Sequence, residues 1–173
     1  DYLRSKYRFS DTEGAHGISI SANATTSDGY QDSSGYDQQK ATVRHDYSGQ
    51  DWDVRTVLDG ANLKQDTAGY IEGYQGYKDS DLSKSNPNPD AYRDAWSVRF
   101  YSAASTALDD NNTLTVTPYL RANDMEFLQH FLAWQPVEKN AHDSLGLRTT
   151  VHTEVDDLRI AYCGDLEYTD AML

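Results

Sequence analysis

The sequence predicts an all-β protein: an antiparallel up-and-down transmembrane β-barrel of about eight strands, with residues 1–173 forming part of one domain. Three observations lead to this prediction. Apolar and polar residues alternate in eight segments, the connections between these segments alternate between short and long, and 13 tyrosines occur in a chain of low mean hydropathy. Abundant tyrosine and threonine suit strands that are apolar on one face only.

The first four alternating segments are 2–9, 16–26, 39–48 and 52–63. Successive side chains of a strand point to opposite faces, so a period of two residues indicates one apolar and one polar face. The apolar sides carry, in order, Leu3, Tyr7 and Phe9; Ile18 and Ile20; Val43 and Tyr47; and Val54 and Leu58. Charged and hydroxyl side chains, such as Arg4, Lys6 and Arg8 in the first segment, occupy the opposite sides.

The last four segments are 94–107, 113–124, 144–155 and 158–168. Their apolar sides carry Trp96, Val98 and Phe100; Leu114, Val116 and Leu120; Leu145, Leu147 and Val151; and Leu158, Ile160, Tyr162 and Leu166. Pro118 interrupts the sixth segment. Because proline cannot donate a ladder hydrogen bond, we expect a local β-bulge at this position.

The connections separate by length. Four are short (10–15, 49–51, 108–112 and 156–157) and three are long (27–38, 64–93 and 125–143), in strict alternation. In a meander this places every tight turn at one rim and every long loop at the other, which is typical of outer-membrane barrels. The apolar sides are therefore expected to face lipid, and tyrosine and tryptophan near the strand ends to lie at the membrane interfaces.

Composition excludes several other classes of protein. A net charge of -13 argues against nucleic-acid binding, which needs a basic surface. The single cysteine, Cys163, can form neither an intrachain disulfide nor a cysteine-based metal site. The sequence contains no G-x-S-x-G, P-loop or H-E-x-x-H motif, so we expect neither an enzyme nor a cofactor.

Four stretches of the sequence are distinctive: SDGYQDSSGYDQQKATVRHDY, AGYIEGYQGYKDSDLSKSNPNPDAYRDAWSVR, VTPYLRANDMEFLQHFLAWQPVEKNAHDSLGL and DLEYTDAML. They resemble the barrel of TonB-dependent outer-membrane receptors. The resemblance implies import of ferric siderophores or similar chelates across the outer membrane of a Gram-negative bacterium, through a barrel of about 22 strands with a plugged lumen. This chain would be a segment of that barrel without the plug. The TonB-type energy-transducing partner would act through the missing parts, and Cys163 would stand where glycine is expected.

Aromatic residues in and near the two longest loops are the predicted ligand-binding residues, because rings can stack on a chelate and form hydrogen bonds with it. They are Tyr70, Tyr74, Tyr77, Tyr92, Phe127, Gln129, His130 and Trp134, where Gln129 adds an amide. Arg93 and Arg121, near the strand tops, could pair with an anionic ferric chelate. Alternatively, the rings pack the loops together and each arginine pairs with a neighbouring carboxylate. No protein metal site is expected, since the iron would arrive already chelated.

Two other classes remain open at this stage. One is a self-contained eight-stranded outer-membrane barrel with a structural or adhesive role, which requires the first and last strands to pair. The other is a soluble sugar-binding β-sandwich, in which Ile18, Val54, Val98 and Ile160 would converge on a dry core.

Overall fold

The computed structural model describes residues 1–172, which form one eight-stranded antiparallel sheet. Each strand pairs with its neighbours in sequence, in the order β1 to β8, so the predicted all-β, up-and-down fold is confirmed. The strands are β1 (Tyr2–Glu13), β2 (His16–Ser27), β3 (Tyr36–Ser48), β4 (Asp53–Asp66), β5 (Tyr92–Ala107), β6 (Asn112–Leu128), β7 (Val137–Val155) and β8 (Leu158–Met172).

The connections keep the predicted alternation of length. Short turns (14–15, 49–52, 108–111 and 156–157) lie at one end of the sheet, and the β2–β3 loop (28–35), the β4–β5 loop (67–91) and the β6–β7 loop (129–136) lie at the other. The β4–β5 loop contains the only helical segments of residues 1–172, a short 3-10 helix (Gly76–Lys78) and α1 (Ser80–Lys84).

Strands β6 and β7 are longer than predicted. Their register continues from Arg121 opposite Ser144 to Leu128 opposite Val137, so the predicted loop 125–143 shrinks to 129–136 and Phe127 lies in a strand. The hydrophobic alternation ends near Asn123 because Asp124 and Glu126 continue the apolar side with charged residues. Periodicity reports the apolar part of a strand, whereas backbone hydrogen bonding extends beyond it.

The bulge expected at Pro118 is absent. Tyr101 opposite Tyr119 and Ala104 opposite Val116 belong to the same register, so the strand has no extra residue. Only the two intervening bridges between β5 and β6 are missing, while Pro118 remains paired with Leu147 of β7. The missing N–H of Pro118 therefore removes pairing with β5 only and does not shift the register.

The register sorts side chains into rows that cross the whole sheet. One row, which we call the apolar row, contains Phe9, Ile20, Val43, Leu58, Phe100, Leu120, Leu145 and Tyr168. The adjacent row on the opposite face, which we call the polar row, contains Arg8, Ser21, Thr42, Asp59, Arg99, Arg121, Ser144 and Thr169. The faces that carry these rows are the apolar face and the polar face.

The two alternative folds are wrong. Within the described chain, only Val57 and Ala91 are buried apolar residues, and Ile18 and Val98 remain 40% exposed on the apolar face, so no dry core of a sandwich exists. Among residues 1–172, β1 and β8 do not pair, which contradicts a closed eight-stranded barrel. No helix in this part of the chain is both long enough and apolar enough to span a membrane.

Candidate functional site

The β4–β5 loop is ordered by its own polar side chains. The Asp79 carboxylate caps α1 by accepting hydrogen bonds from the backbone N–H groups of Asp81 and Leu82, each at 3.0 Å. Asn86 Oδ1 accepts from the N–H of Asn88 at 2.9 Å and from that of Gly69 at 3.4 Å. Asn86 thereby fastens the start of the loop to the Asn-Pro-Asn-Pro turn near its end.

The β2–β3 loop is fixed to the β4–β5 loop by side-chain and backbone hydrogen bonds. Four contacts join them: Asp32 N to Lys84 O (2.7 Å), Gln31 Nε2 to Ser85 O (2.9 Å), Asn86 Nδ2 to Ser33 O (3.0 Å) and Tyr30 Oη with Ser83 Oγ (3.2 Å). Two connections that are 32 residues or more apart in sequence, from 35 to 67, therefore form one ordered cap over this end of the sheet.

A cleft of about 510 Å³ lies between this cap and the β6–β7 loop. Tyr70, Ile71, Leu82 and the Asn86–Asn88 turn line one side, and His130 and Phe131 line the other. The His130 and Phe131 rings meet edge-to-face with centroids 5.6 Å apart. The His130 Nδ1 atom is buried and has no hydrogen-bond partner among residues 1–172. The cleft thus offers aromatic faces to a ligand, beside a buried imidazole nitrogen that has no partner in residues 1–172.

Among the predicted loop residues, Tyr70 and His130 line this cleft. The Tyr70 hydroxyl donates to Glu72 Oε1 at 3.2 Å. The side chains of Tyr74, Tyr77 and Trp134 instead project into solvent, with Tyr74 94% and Trp134 98% exposed. The structure therefore brings some of the predicted aromatic residues together and leaves others apart at the loop surface.

A second group of predicted residues lies at the loop end of the strands, beyond the apolar residues. The Tyr92 hydroxyl donates to Glu126 Oε1 at 2.6 Å, and Lys139 Nζ lies 2.5 Å from Glu126 Oε2. The hydrogen bond from Lys139, and to a lesser extent that from Tyr92, holds the pKa of the Glu126 carboxyl below its usual value. Arg93 stacks over the Phe127 ring at 6.0 Å, so its charge is directed at an aromatic face.

Gln129 and Arg121 have partners within the chain. The Gln129 side-chain amide donates to Glu138, at the start of β7. Arg121 lies on the polar face, seven residues before the end of β6, where it pairs with Glu167 and donates to Ser144 Oγ at 3.2 Å. Arg121 is therefore part of the strand wall below the loops.

The polar face below the loops carries a hydrogen-bonded wall that the sequence reasoning did not assign to a site. A shallow cleft of about 400 Å³ is lined by Arg99, Arg121, Asn123 and His142, among others. His142 Nδ1 lies 3.2 Å from Asn123 Oδ1. Arg99 and His142 could not be recognised as neighbours from the sequence, because the strand order alone does not fix their relative heights along β5 and β7, which depend on the register. Among residues 1–172, no three His, Cys, Asp or Glu side chains are grouped as a metal site.

No family model matches the sequence, and no curated protein matches it. Solved structures do share its fold. The open form of the ferric-catecholate import receptor Fiu from E. coli K12 has a TM-score of 0.73 and 10% identity, over 98% of this chain and 32% of that chain. Its closed form has a TM-score of 0.70 and 10% identity, over 97% and 29%.

The ferric citrate transporter FecA in its unliganded form gives a TM-score of 0.77 and 8% identity, over 99% of this chain and 26% of that chain. At such low identity the likeness concerns the fold alone. The chain thus spans about a third or less of the structures that it matches, and it is similar in fold to that part of Fiu and of FecA.

Proposed function

We propose that this chain is a segment of the barrel of an outer-membrane receptor that imports ferric siderophores or similar chelates, with energy-coupled uptake, in a Gram-negative bacterium. One observation carries the proposal. An exposed apolar face runs across all eight strands, and every long loop lies at one end of it, where the β4–β5 and β6–β7 loops line a cleft.

The apolar face has the features expected of a surface that contacts lipid. Large contiguous apolar surfaces exposed to water are rare in soluble monomers. On this face, charged residues lie toward the ends of the strands, as do Glu126, which pairs with Lys139 at the loop end, and Glu13 at the short-turn end. Trp96 lies just below this level, as expected for an aromatic residue at a membrane interface. We therefore assign the apolar face to hydrocarbon and the loops to the outer surface.

Among residues 1–172, the outer edges of β1 and β8 are unpaired, and in the proposed membrane setting they call for further strands. Backbone groups in hydrocarbon must all be hydrogen-bonded, so an open sheet cannot remain open in a bilayer. The share of 26–32% that this chain covers in Fiu and FecA supports a larger barrel completed by other segments. A TonB-type partner and a plug would act through those segments.

The loops favour a chelate that is neutral or positively charged. The three long loops contain six acidic residues and two basic ones; these are Asp28, Asp32, Glu72, Asp79, Asp81 and Asp90, with Lys78 and Lys84. Arg121 is already paired with Glu167, so it does not offset this charge. Like charges at a mouth oppose the approach of a ligand over about one Debye length, about 8 Å at physiological ionic strength.

The test is chelate binding by the protein that carries this chain, purified in detergent and followed by tryptophan fluorescence. Phe131→Ala and Tyr70→Ala should each weaken binding by about tenfold, which corresponds to about 1.4 kcal/mol. Tyr74→Ala is the matched control, because Tyr74 is exposed outside the cleft. Failure to bind any ferric chelate would refute the proposal, and equal affinity in all four proteins would refute this site.

The preference for ligand charge is tested by comparing a neutral ferric hydroxamate with a trianionic ferric catecholate at low and high salt. We expect tighter binding of the hydroxamate, with a difference that shrinks as salt screens the loops. Tighter binding of the catecholate at low salt would overturn the charge preference and leave the receptor assignment intact.

A further inference from the structure

The short-turn end of the sheet contains a pair of histidines that the proposed function does not use. His16 is the first residue of β2 and His45 is near the end of β3. His16 Nδ1 and His45 Nε2 are 3.1 Å apart, and the two rings are stacked with centroids 5.3 Å apart. The Tyr47 ring lies 5.0 Å from the His16 ring and covers the pair from the β3 side.

We propose that His16 and His45 form a binding site for a divalent transition-metal ion, best suited to Cu²⁺, Ni²⁺ or Zn²⁺. Neutral imidazole is a preferred ligand of these three ions. Two nitrogens at about 2.0–2.1 Å from one ion are about 2.9 Å apart at a right angle and about 3.3 Å apart at the tetrahedral angle. The observed separation of 3.1 Å lies between these values, so both nitrogens are close enough to bind one ion once the rings turn their lone pairs toward it.

The two histidines are held by regular strand pairing. The β2–β3 ladder begins at His16 opposite Tyr47 and continues without interruption to Ser27 opposite Tyr36. The hydrogen bond from Ser48 N to Ala15 O, at 2.9 Å, extends this pairing into the turn. A site on paired strands is better preorganised than a site on a loop, so little ordering is needed when the ion binds.

The surroundings favour a cation. Glu13 of β1 lies directly opposite His16 in the register and shares its face, and Asp11 lies two residues before it on the same face. His16 is exposed and His45 is half-buried, so water can complete the coordination. In the orientation of the proposed function this site is at the periplasmic interface, although the inference does not depend on that function.

The experiment is a Cu²⁺ titration of the full protein in detergent, with a competing chelator to give the affinity and electron paramagnetic resonance to count nitrogen ligands. We expect one Cu²⁺ with two nitrogen ligands. His16→Ala and His45→Ala should each weaken binding by at least about tenfold, since even indirect metal partners contribute about 10–100-fold. His16→Gln and His45→Gln keep the side-chain bulk and should weaken binding similarly.

His152→Ala is the matched control. His152 is also a strand histidine near the short turns, but its neighbours in the register are Thr113 and Ala161. This variant should bind Cu²⁺ as the parent does. A signal from one nitrogen in the parent, or equal affinity in the parent and the His16 and His45 variants, would overturn the proposal.

Discussion

The apolar row and the polar row lie next to each other in the same eight strands, yet they are stabilised in different ways. The polar face is held by side-chain contacts. Arg148 pairs with Asp165 at 2.7 Å, Arg55 pairs with Asp46 at 2.7 Å, and Thr42 donates to Asp59 at 2.6 Å. In the apolar row, by contrast, Leu120 is 54% and Leu145 is 55% exposed. The polar side chains find hydrogen-bonding partners within the chain, whereas the apolar side chains of the other face remain exposed.

Under the proposed membrane assignment, the same backbone hydrogen bonding supports one face toward water and one face toward lipid. Hydrogen bonds between the strands are the same for both rows, because the ladder lies between the faces. What differs is the surroundings of each row: side-chain hydrogen bonds and ion pairs on the polar face and, in the proposed membrane setting, hydrocarbon on the apolar face. Three predictions test this difference, and a fourth concerns a short turn; they run from the largest expected effect to the smallest.

Val43→Arg should have the largest effect, because it places a charge in the middle of the apolar row. An arginine that faces lipid near the bilayer midplane costs about 2–4 kcal/mol. Thr42→Arg, the adjacent position in the polar row, places the same side chain beside Asp59 and should change stability by less than about 1 kcal/mol. Urea unfolding from lipid vesicles measures both, and equal losses would contradict the assignment of the two faces.

Gly146→Ala should destabilise the polar face by about 1–3 kcal/mol, as expected for overpacking. A Cβ at this position would lie 2.2 Å from Tyr119 Cζ, so the ring would have to move away from Asp165 and Glu167, to which it donates. Gly60→Ala is the control on the apolar face, where nothing lies within 4 Å of the added carbon.

The same urea series measures both glycine variants. Gly60→Ala should stay within about 0.5 kcal/mol of the parent. A loss for Gly60→Ala as large as that for Gly146→Ala would show that strand backbone, and not the packing of Tyr119, sets the cost.

Tyr119→Phe should cost about 0.5–1.5 kcal/mol by removing the hydroxyl that donates to Asp165 at 2.9 Å and to Glu167 at 2.8 Å. Tyr168→Phe, in the apolar row, removes a hydroxyl with no hydrogen bond in residues 1–172 and should be nearly neutral. Because Gly146 and Tyr119 are in contact, combining Gly146→Ala with Tyr119→Phe should cost less than the sum of the two single changes. Additive losses would show that the ring does not transmit the effect of Gly146.

The smallest effect concerns pH at a short turn, outside both faces. The Asn112 side chain and the N–H groups of Asn111 and Asn112 donate to Asp109 and lower the pKa of its carboxyl. A lowered folded-state pKa adds stability above the unfolded value of about 3.9, and this stability is lost as pH falls through the folded-state pKa. Asp109→Asn should therefore reduce the difference in thermal stability between pH 6 and pH 3. An unchanged difference would contradict this role.

Much of the fold could be predicted from particular residues. The segments around Ile18, Val43 and Val98 alternate strongly because one face is apolar over its whole middle section, and each of them is a strand. The predictions failed where that signal ended: β7 begins at Val137, well before the predicted residue 144, because Lys139 continues its apolar side as a charge. The Pro118 bulge was wrong because the loss of one donor can be tolerated without a shift in register.

Less of the candidate site could be predicted. Composition drew attention to the aromatic loops, and Tyr70 and His130 do meet at one cleft. Ile71 and Leu82, which line the same cleft, carry no chemical signal in the sequence. The approach of the β2–β3 loop to the β4–β5 loop depends on hydrogen bonds such as that from Asp32 N to Lys84 O, which no local pattern encodes.

The sequence by itself determined the strands, their two faces and the ends at which long and short connections lie. These properties are local, since they follow from the alternation of side chains and from the length of each connection. Only the tertiary structure decided that β1 and β8 stay apart, that the rows align across eight strands and that His16 meets His45. These depend on register between strands, and register is set by pairing along the whole ladder.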